Sequence, residues 1–531
     1  MATTLIPPQK KQLPRLKFLI LILLALGIFF RFVNLDRKVY WGDETSTSLR
    51  ISGYTLVEAH QNLEGRIVSP EDILKYQHPN LEANLSDTIK ASASNATHPP
   101  LYFLMARLWM QWFGNSIAVT RSVSALLSLL VFPCIYWLCT ELFESSLVGW
   151  LAIALTAVSP FHVLYAQEAR MYSLLTVEIL LSSAILLRAI RLKTLVNWGF
   201  YSATVALGLY THLFFGFVGL GHGIYVIATK RFRLSKASLA YLLAFIAGIL
   251  TFVPWLLIVI SNYSQFQSAS SWSTTDTSLS SLITNWIYNL SYVFIDFWYI
   301  FTYFPDSPFN LRFGKYLIPL VLILVGYSLY VLFRQTPKRT WLFLLTLIGS
   351  TALAIILPDL ILGGYRSIMA RYFIPCYIGI QIAVAYLLAT RIQSISAPRW
   401  QQKLWRLILI LLVSGGILSC AVSSQAETWW NKRTTSDDNL HAIRLINQAK
   451  QPLLIVEDVP LSISHKLNPR VRLMVVSPST APKIPDSFSD VFFLEPSKQL
   501  KSKIEKELNS PIKIVYKGRK QSLWQLQRKY I

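Results

Sequence analysis

Apolar residues fill most of the chain in blocks of about 20 residues, which are separated by short polar segments. A helix of about 20 residues is just long enough to cross the hydrocarbon core of a bilayer. The pattern therefore predicts a mainly α-helical, polytopic membrane protein with about 11 transmembrane helices. The predicted spans are residues 16–34, 117–142, 147–166, 171–191, 196–213, 215–229, 237–260, 314–334, 340–357, 372–391 and 404–424.

Two further apolar segments do not fit this series of spans. The segment 98–114 is short for a span and includes Arg107, and the segment 283–305 is rich in aromatic side chains. We predict that both form helices in the outer interface of the membrane, where amphipathic aromatic residues are stable. The alternative is that both segments cross the membrane, in which case the orientation of the later spans is unchanged.

The sequence becomes polar at about residue 425, where short apolar runs alternate with charged segments. This pattern predicts strands at 453–456, 471–476, 491–494 and 512–516, and helices at 436–450 and 497–508. We therefore divide the chain into a transmembrane domain, residues 1–424, and a small C-terminal α/β domain, residues 425–531. The first domain includes two outer loops, 35–116 and 261–313, of which the first carries a surface helix at 45–60 and the second begins with a mobile loop at 261–282 that is rich in Ser and Thr.

Composition and charge support a membrane protein. The chain is 53% hydrophobic and only 15% charged, whereas soluble proteins carry about 25% charged residues. The net charge of +23 comes mostly from Lys and Arg in short loops between spans. Such loops set orientation and contact anionic lipid, so we exclude nucleic acid as a partner. Basic inner loops place the N-terminus inside and, after eleven spans, the C-terminal domain outside.

Two adjacent acids, Asp43 and Glu44, follow the first span by about ten residues and lie on the outer side of the membrane. A carboxylate that is partly desolvated at this boundary is a stronger base, and sugar transfer with inversion needs a base to deprotonate the attacking hydroxyl. The alternative is that these acids are solvated or cap a helix.

Three other polar groups occur near the outer ends of apolar segments. His98 precedes two prolines that fix the start of a helix. Glu168 and Arg170 stand two residues apart, which places them on different faces of a helix and favours separate partners over a mutual salt bridge. Exposure of His98 and a purely structural network for Glu168 and Arg170 remain alternatives.

Two arginines, Arg366 and Arg371, precede the predicted span at 372–391. The guanidinium group binds phosphate with two parallel hydrogen bonds, so this pair is a candidate site for a lipid-linked phosphate. The alternative is that both side chains extend to lipid headgroups, as Arg often does at the ends of spans.

Taken together, these segments resemble the GT-C membrane glycosyltransferases, specifically glycosyltransferase family 39, which includes the protein O-mannosyltransferases and the lipid A aminoarabinose transferase. The resemblance extends over roughly residues 15–390. It rests on matching segments at 42–45, 98–101, 112–114, 121–122, 167–172 and 371–372.

The resemblance implies that a sugar is transferred from a polyprenyl-phosphate donor to a lipid, glycan or protein acceptor on the extracytoplasmic side of a bacterial plasma membrane. It implies that Asp43 is the base, with Glu44 beside it. The donor phosphate would be bound by Arg170, Arg371, Tyr372 and His98. The other residues that would line the site are Glu168, Tyr172 and Arg366.

Several alternatives and expected absences complete the prediction. A lipid or solute transporter and a non-catalytic membrane scaffold are the rival functions. The four cysteines lie in apolar segments without metal-ligand spacing, so we expect no disulfide framework. We also expect no cofactor and no catalytic metal, although two adjacent acids are compatible with a divalent cation.

Overall fold

The computed structural model describes residues 13–79, 83–233, 235–296, 316–394, 397–429, 433–480, 482–508 and 510–527. The chain divides into two compact units, neither of which is continuous in sequence. The membrane unit comprises Met1–Val33, Ala96–Pro99 and Ser124–Ser424. The sheet unit comprises Asn34–Asn95, Pro100–Val123 and Gln425–Ile531.

Helices account for most of the described chain. The α-helices are α1 (Leu13–Phe32), α2 (Gly42–Ser52), α3 (Leu56–Leu63), α4 (Pro70–Leu74), α5 (Leu85–Ala93), α6 (Leu101–Phe113), α7 (Ile117–Leu129), α8 (Val131–Phe143), α9 (Ser146–Ala157), α10 (Pro160–Ala166), α11 (Tyr172–Leu192), α12 (Leu195–Thr211), α13 (Phe215–Thr229), α14 (Lys236–Ser261), α15 (Tyr263–Ser270), α16 (Leu279–Tyr292), α17 (Leu317–Gln335), α18 (Lys338–Leu362), α19 (Ile374–Gln393), α20 (Arg399–Gln425), α21 (Arg433–Gln448), α22 (Leu461–Ser464) and α23 (Lys498–Leu508). Short 3-10 helices occupy Lys75–Gln77, Ser271–Thr274, Arg366–Ile368 and Ala370–Phe373.

Each of the eleven predicted spans is mostly helical over the residues that the structure describes. Among the described residues, seven helices are long and apolar enough to cross a membrane: Ile117–Phe143, Tyr172–Leu192, Lys236–Ser261, Leu317–Gln335, Lys338–Leu362, Ala370–Gln393 and Arg399–Gln425. Helices α9 and α10 are together also long and apolar enough to cross a membrane, but the chain bends by 64° between them. The remaining predicted spans correspond to α1, α12 and α13. The prediction of a mainly α-helical, polytopic membrane protein is confirmed.

Arg31 stabilises the break between α9 and α10. The last carbonyl groups of a helix have no partner inside it, and Arg31 donates from Nη1 to Ala157 O at 2.8 Å and from Nη2 to Thr156 O at 3.2 Å. Helix α1 passes close to the end of α9 at Gly27. A larger residue would not fit there, because a Cβ atom on Gly27 would lie 2.5 Å from Ala157 O. A positive charge at the end of α9 also suits the helix dipole.

The sheet unit contains six strands, of which the first comes from the loop after α1. The strands are β1 (Ile67–Val68), β2 (Pro452–Val456), β3 (Arg472–Val475), β4 (Asp490–Leu494), β5 (Ile512–Lys517) and β6 (Ser522–Leu526). Their order in the sheet is β1-β3-β2-β4-β6-β5. Strand β2 pairs in parallel with β3 and β4, and the other pairings are antiparallel.

Helices cover both faces of this sheet. On one face, Leu454 and Leu473 pack with Ile446 of α21 and with Ala59 and Ile73 from the loop after α1. On the other face, the alternate residues of the same strands pack with α23. Burial on both faces explains why β2 is a continuous apolar run. The four predicted C-terminal strands are confirmed, whereas β1 and β6 were not predicted.

The predicted loops differ from the structure in three respects. The surface helix predicted at 45–60 is two helices, α2 and α3, which separate at Gly53. The loop predicted at 261–282 contains α15 and a 3-10 helix. In the outer loop 35–116, residues 35–95 and 100–116 pack with the C-terminal sheet in one unit. Part of the predicted interfacial segment 283–305 lies outside the described residues.

Candidate active site

Helix α2 carries Asp43 in its first turn. The helix begins after Trp41, whose backbone is extended and whose N–H donates to Glu44 Oε2 at 3.3 Å. It ends at Gly53, which takes the left-handed conformation with a φ of 86°. Asp43 is partly exposed, and an acid in this turn is stabilised by the positive end of the helix dipole. The proposed base therefore lies within a helical turn and is not the cap that the sequence suggested.

Glu44 is held by a buried arginine. Arg121 donates from Nε to Glu44 Oε1 at 2.8 Å and from Nη2 to Glu44 Oε2 at 2.7 Å. Its other N–H groups donate to the carbonyl oxygens of Leu35, Lys38 and Val39. The two side chains are 1% and 0% exposed. The ion pair fixes the turn that carries Asp43, while the catalytic role of Glu44 stays a prediction.

In the membrane unit, the segment between α10 and α11 is not helical. Gln167 Nε2 donates to the carbonyl oxygens of Phe30 and Val33 at 2.8 and 3.0 Å, and Ser124 Oγ donates to Arg170 O at 2.9 Å. Within a bilayer, irregular backbone is tolerated only where protein groups satisfy its hydrogen bonds. These hydrogen bonds fix the position of Arg170.

Arg170 binds His98. The sequence analysis assigned both residues to the same predicted phosphate site. Arg170 Nη2 lies 2.8 Å from His98 Nε2, and His98 Nδ1 lies 2.8 Å from Thr97 Oγ1. Because a guanidinium can only donate, His98 Nε2 accepts and the imidazole is neutral, with its proton on Nδ1. Arg170 is 2% exposed.

Arg371 approaches the same aromatic ring as Arg170. It lies in the 3-10 helix that precedes α19, and its guanidinium carbon is 5.9 Å from the centre of the Tyr172 ring. The guanidinium carbon of Arg170 is 6.0 Å from that centre, and Arg371 is also 5.4 Å from the Tyr372 ring. Contact with aromatic faces stabilises both cations.

His212 completes this group and was not predicted. It directly follows α12, and its ring centre lies 6.1 Å from that of His98, 6.2 Å from that of Tyr172 and 6.3 Å from that of Tyr372. A histidine at the end of a predicted span was the available signal. The resulting cationic cluster consists of His98, Arg170, Tyr172, His212, Arg371 and Tyr372.

The remaining predicted residues lie in different surroundings. Glu168 is fully buried in the segment before α11, and its carbonyl oxygen accepts from Arg170 N at 2.7 Å. Arg366 instead forms an ion pair with buried Asp359 at 3.8 Å and donates from Nε to Ser273 Oγ at 3.1 Å. Asp359 also accepts from Ser367 N at 2.6 Å. These contacts give Arg366 a role in fixing the turn before Arg371.

Two guanidinium groups and two imidazoles give the cationic cluster the chemistry of an anion site. Arginine offers planar pairs of donors that match phosphate oxygens, and burial strengthens such contacts because little water competes. Among the described residues, no group of three or more His, Cys, Asp or Glu could hold a metal ion. The cluster suits a phosphate ester.

Comparison with known proteins agrees with this picture. Residues 97–258 match the family model described as dolichyl-phosphate-mannose-protein mannosyltransferase. No curated protein matches the sequence significantly. The crystal structure of ArnT from Cupriavidus metallidurans bound to undecaprenyl phosphate is similar at 15% identity and a TM-score of 0.50, and its apo form at 13% and 0.49. Each of the two alignments covers 96% of this chain and 98% of the ArnT chain. The chain thus has the fold of the similar ArnT structure, and its residues 97–258 match the mannosyltransferase family model.

Proposed function

We propose that this protein transfers a sugar from a polyprenyl-phosphate donor to a hydroxyl group of an acceptor on the extracytoplasmic side of a bacterial plasma membrane. The configuration of the anomeric carbon is inverted, and Asp43 is the base. The donor phosphate is bound by the cationic cluster. No nucleotide sugar is required.

The observation that carries this proposal is the approach of Arg170 and Arg371 to one ring, that of Tyr172. Two guanidinium groups that approach one ring from different segments of the chain offer paired N–H donors, and such donors match the oxygens of a phosphate. The similar ArnT structure is described as bound to undecaprenyl phosphate, which supports the same class of anion here.

In the proposed reaction, an acceptor hydroxyl oxygen attacks the anomeric carbon and forms the new glycosidic bond. The bond between that carbon and the phosphate oxygen breaks, and its electron pair leaves with polyprenyl phosphate. The hydroxyl proton goes to the Asp43 carboxylate. Arg170 and Arg371 stabilise the charge that develops on the leaving phosphate, and His98 fixes Arg170.

Substitution of Asp43 tests the proposal. The full chain in lipid nanodiscs is supplied with polyprenyl-phosphate sugars and with extracted envelope lipids and proteins, and transfer is followed by mass spectrometry. We expect Asp43→Asn to abolish transfer while lowering the melting temperature only slightly, through the lost interaction with the helix dipole. Asp36→Asn removes an exposed acid of the same loop and is expected to leave transfer unchanged. A transporter or a scaffold would show no transfer by the unaltered chain.

A further inference from the structure

The sheet unit contains a cavity of about 630 Å³. It lies where strands β2 and β4 end, and residues of both carboxyl ends line it, including Val456, Glu457, Leu494 and Glu495. Helix α2 also lines the cavity and contributes Gly42, Thr45, Ser46, Leu49 and Arg50. The size is that of a small-molecule site.

The sheet topology explains why a cavity forms there. After β2 the chain goes to β3 on one side of β2, whereas β4 lies on the other side of β2 and its neighbour is β6. The connections that leave β2 and β4 therefore diverge. At such a switch point between parallel strands, the diverging loops leave a crevice beyond the carboxyl ends, and open α/β sheets bind ligands there.

The cavity wall contains polar groups that lack a partner. Asn439 lines it and is only 5% exposed, and its Oδ1 accepts no hydrogen bond from any residue that the structure describes. The same holds, within the described chain, for Oε1 of Gln521 in the same wall. A buried acceptor without a donor is costly. Both amide oxygens are therefore available to a ligand that donates hydrogen bonds.

The charges of the wall indicate the ligand class. Glu457, Asp458 and Glu495 carry three negative charges, and Arg50 and Lys520 carry two positive charges. This balance disfavours a phosphate or another strong anion. Hydroxyl groups satisfy such a mixture well, because each can donate to a carboxylate or an amide oxygen and accept from a cation.

We propose that this switch-point cavity binds carbohydrate of the acceptor, one or two sugar residues in size. The inference rests on the proposed function, because it assigns the substrate class that the transferase modifies. Helix α2 connects the two roles, since its residues 45, 46, 49 and 50 line the cavity while its first turn carries Asp43. A sugar held in the cavity would contact the helix that carries the base.

The proposal is tested by binding of the full chain in nanodiscs to an array of bacterial envelope glycans, with titration of the strongest glycan found. We expect at least a tenfold weaker affinity for Asn439→Leu, which removes the amide oxygen from the cavity wall, and for Asp458→Asn. Asp458 is exposed, so its change is expected to preserve folding. The matched control is Glu505→Gln, an exposed acid on α23, which is expected to bind like the unaltered chain.

The outcomes separate the two proposals. Asp43→Asn is expected to bind the glycan normally while transfer is lost. If Asp43→Asn still transfers sugar but the cavity variants lose binding, the proposed mechanism fails and the acceptor site stands. If transfer depends on Asp43 while no glycan binds, or while both cavity variants bind and transfer like the unaltered chain, the acceptor site is refuted.

Discussion

Arg121 and Glu44 form a buried ion pair in which two guanidinium N–H groups donate to the two carboxylate oxygens at 2.8 and 2.7 Å. The two residues are 77 positions apart in the chain. The rings of Tyr40 and Trp429 lie 5.4 and 5.1 Å from the guanidinium carbon. The pair thus ties the start of α2, with Asp43, to α7 and to the C-terminal segment of the same unit.

Breaking this pair is expected to destabilise the sheet unit strongly. Arg121→Ala leaves the Glu44 carboxylate buried without its partner, and such a change costs about 3–5 kcal/mol. Thermal unfolding of the purified protein measures it. The matched control is Arg444→Ala, which breaks an exposed pair with Glu427 and should cost no more than about 1 kcal/mol. Equal melting temperatures of the two variants would contradict the structural role of Arg121.

Loss of the fork-shaped donor at residue 371 is expected to weaken catalysis. Arg371→Lys keeps the charge but not the paired donors. A charge-assisted hydrogen bond is worth about 1.5–3 kcal/mol, so kcat/KM for the polyprenyl-phosphate donor should fall roughly 10- to 150-fold. Arg339→Lys is the control, because its exposed pair with Glu144 lies outside the cluster. An unchanged kcat/KM in Arg371→Lys would exclude a donor-binding role.

The sequence predicted the spans well because a helix in lipid must bury its backbone polar groups and expose apolar side chains, and both demands are local. The strands β2 to β5 could also be predicted, because each is a short apolar run bounded by charged segments. Strand β1 has only two residues and depends on pairing with β3. Nothing local marks it, and the packing of the loop after α1 on the sheet could not be inferred.

The candidate site shows the same division between local and distant information. Arg170, His98 and Arg371 stand out as polar groups beside apolar segments, so the sequence indicated them. The residues that each of these side chains contacts could be identified only from the tertiary structure. The sequence did not indicate that Arg121 pairs with Glu44 or that Asp359 pairs with Arg366.

Stability of the sheet unit is expected to fall in acid because of His465. Burial, together with nearby His78 and Arg121, lowers the pKa of His465 to about 3. Nε2 of the neutral His465 ring lies 3.0 Å from Gln77 Oε1, and the ring packs on Tyr40. In the unfolded chain a histidine titrates near pH 6.5, so the unfolded state binds more protons between pH 6.5 and 3.

The stabilisation by neutral His465 is therefore complete above about pH 6.5 and is lost as the pH falls toward 3. Each pH unit in that window costs about 1.4 kcal/mol, or about 2 kcal/mol between pH 6.5 and 5. His465→Gln should flatten this part of the profile of melting temperature against pH. An unchanged slope in that variant would assign the acid sensitivity to other groups.

The turn before Arg371 is expected to require glycine at position 364. Gly364 has a φ of 123°, and a Cβ atom there would lie 2.7 Å from Ser273 O and 3.0 Å from Asp359 Oδ1. Gly364→Ala therefore strains the backbone, at about 1–3 kcal/mol, and displaces the Asp359 carboxylate that holds Arg366. The shift is passed along seven residues to Arg371, so donor KM should rise together with a lower melting temperature. Gly349→Ala is the matched control, because Gly349 lies in α18 and a Cβ atom there would meet nothing within 4 Å beyond the nearby backbone of its own helix. If both variants keep the melting temperature and the donor KM of the unaltered chain, the turn does not position Arg371.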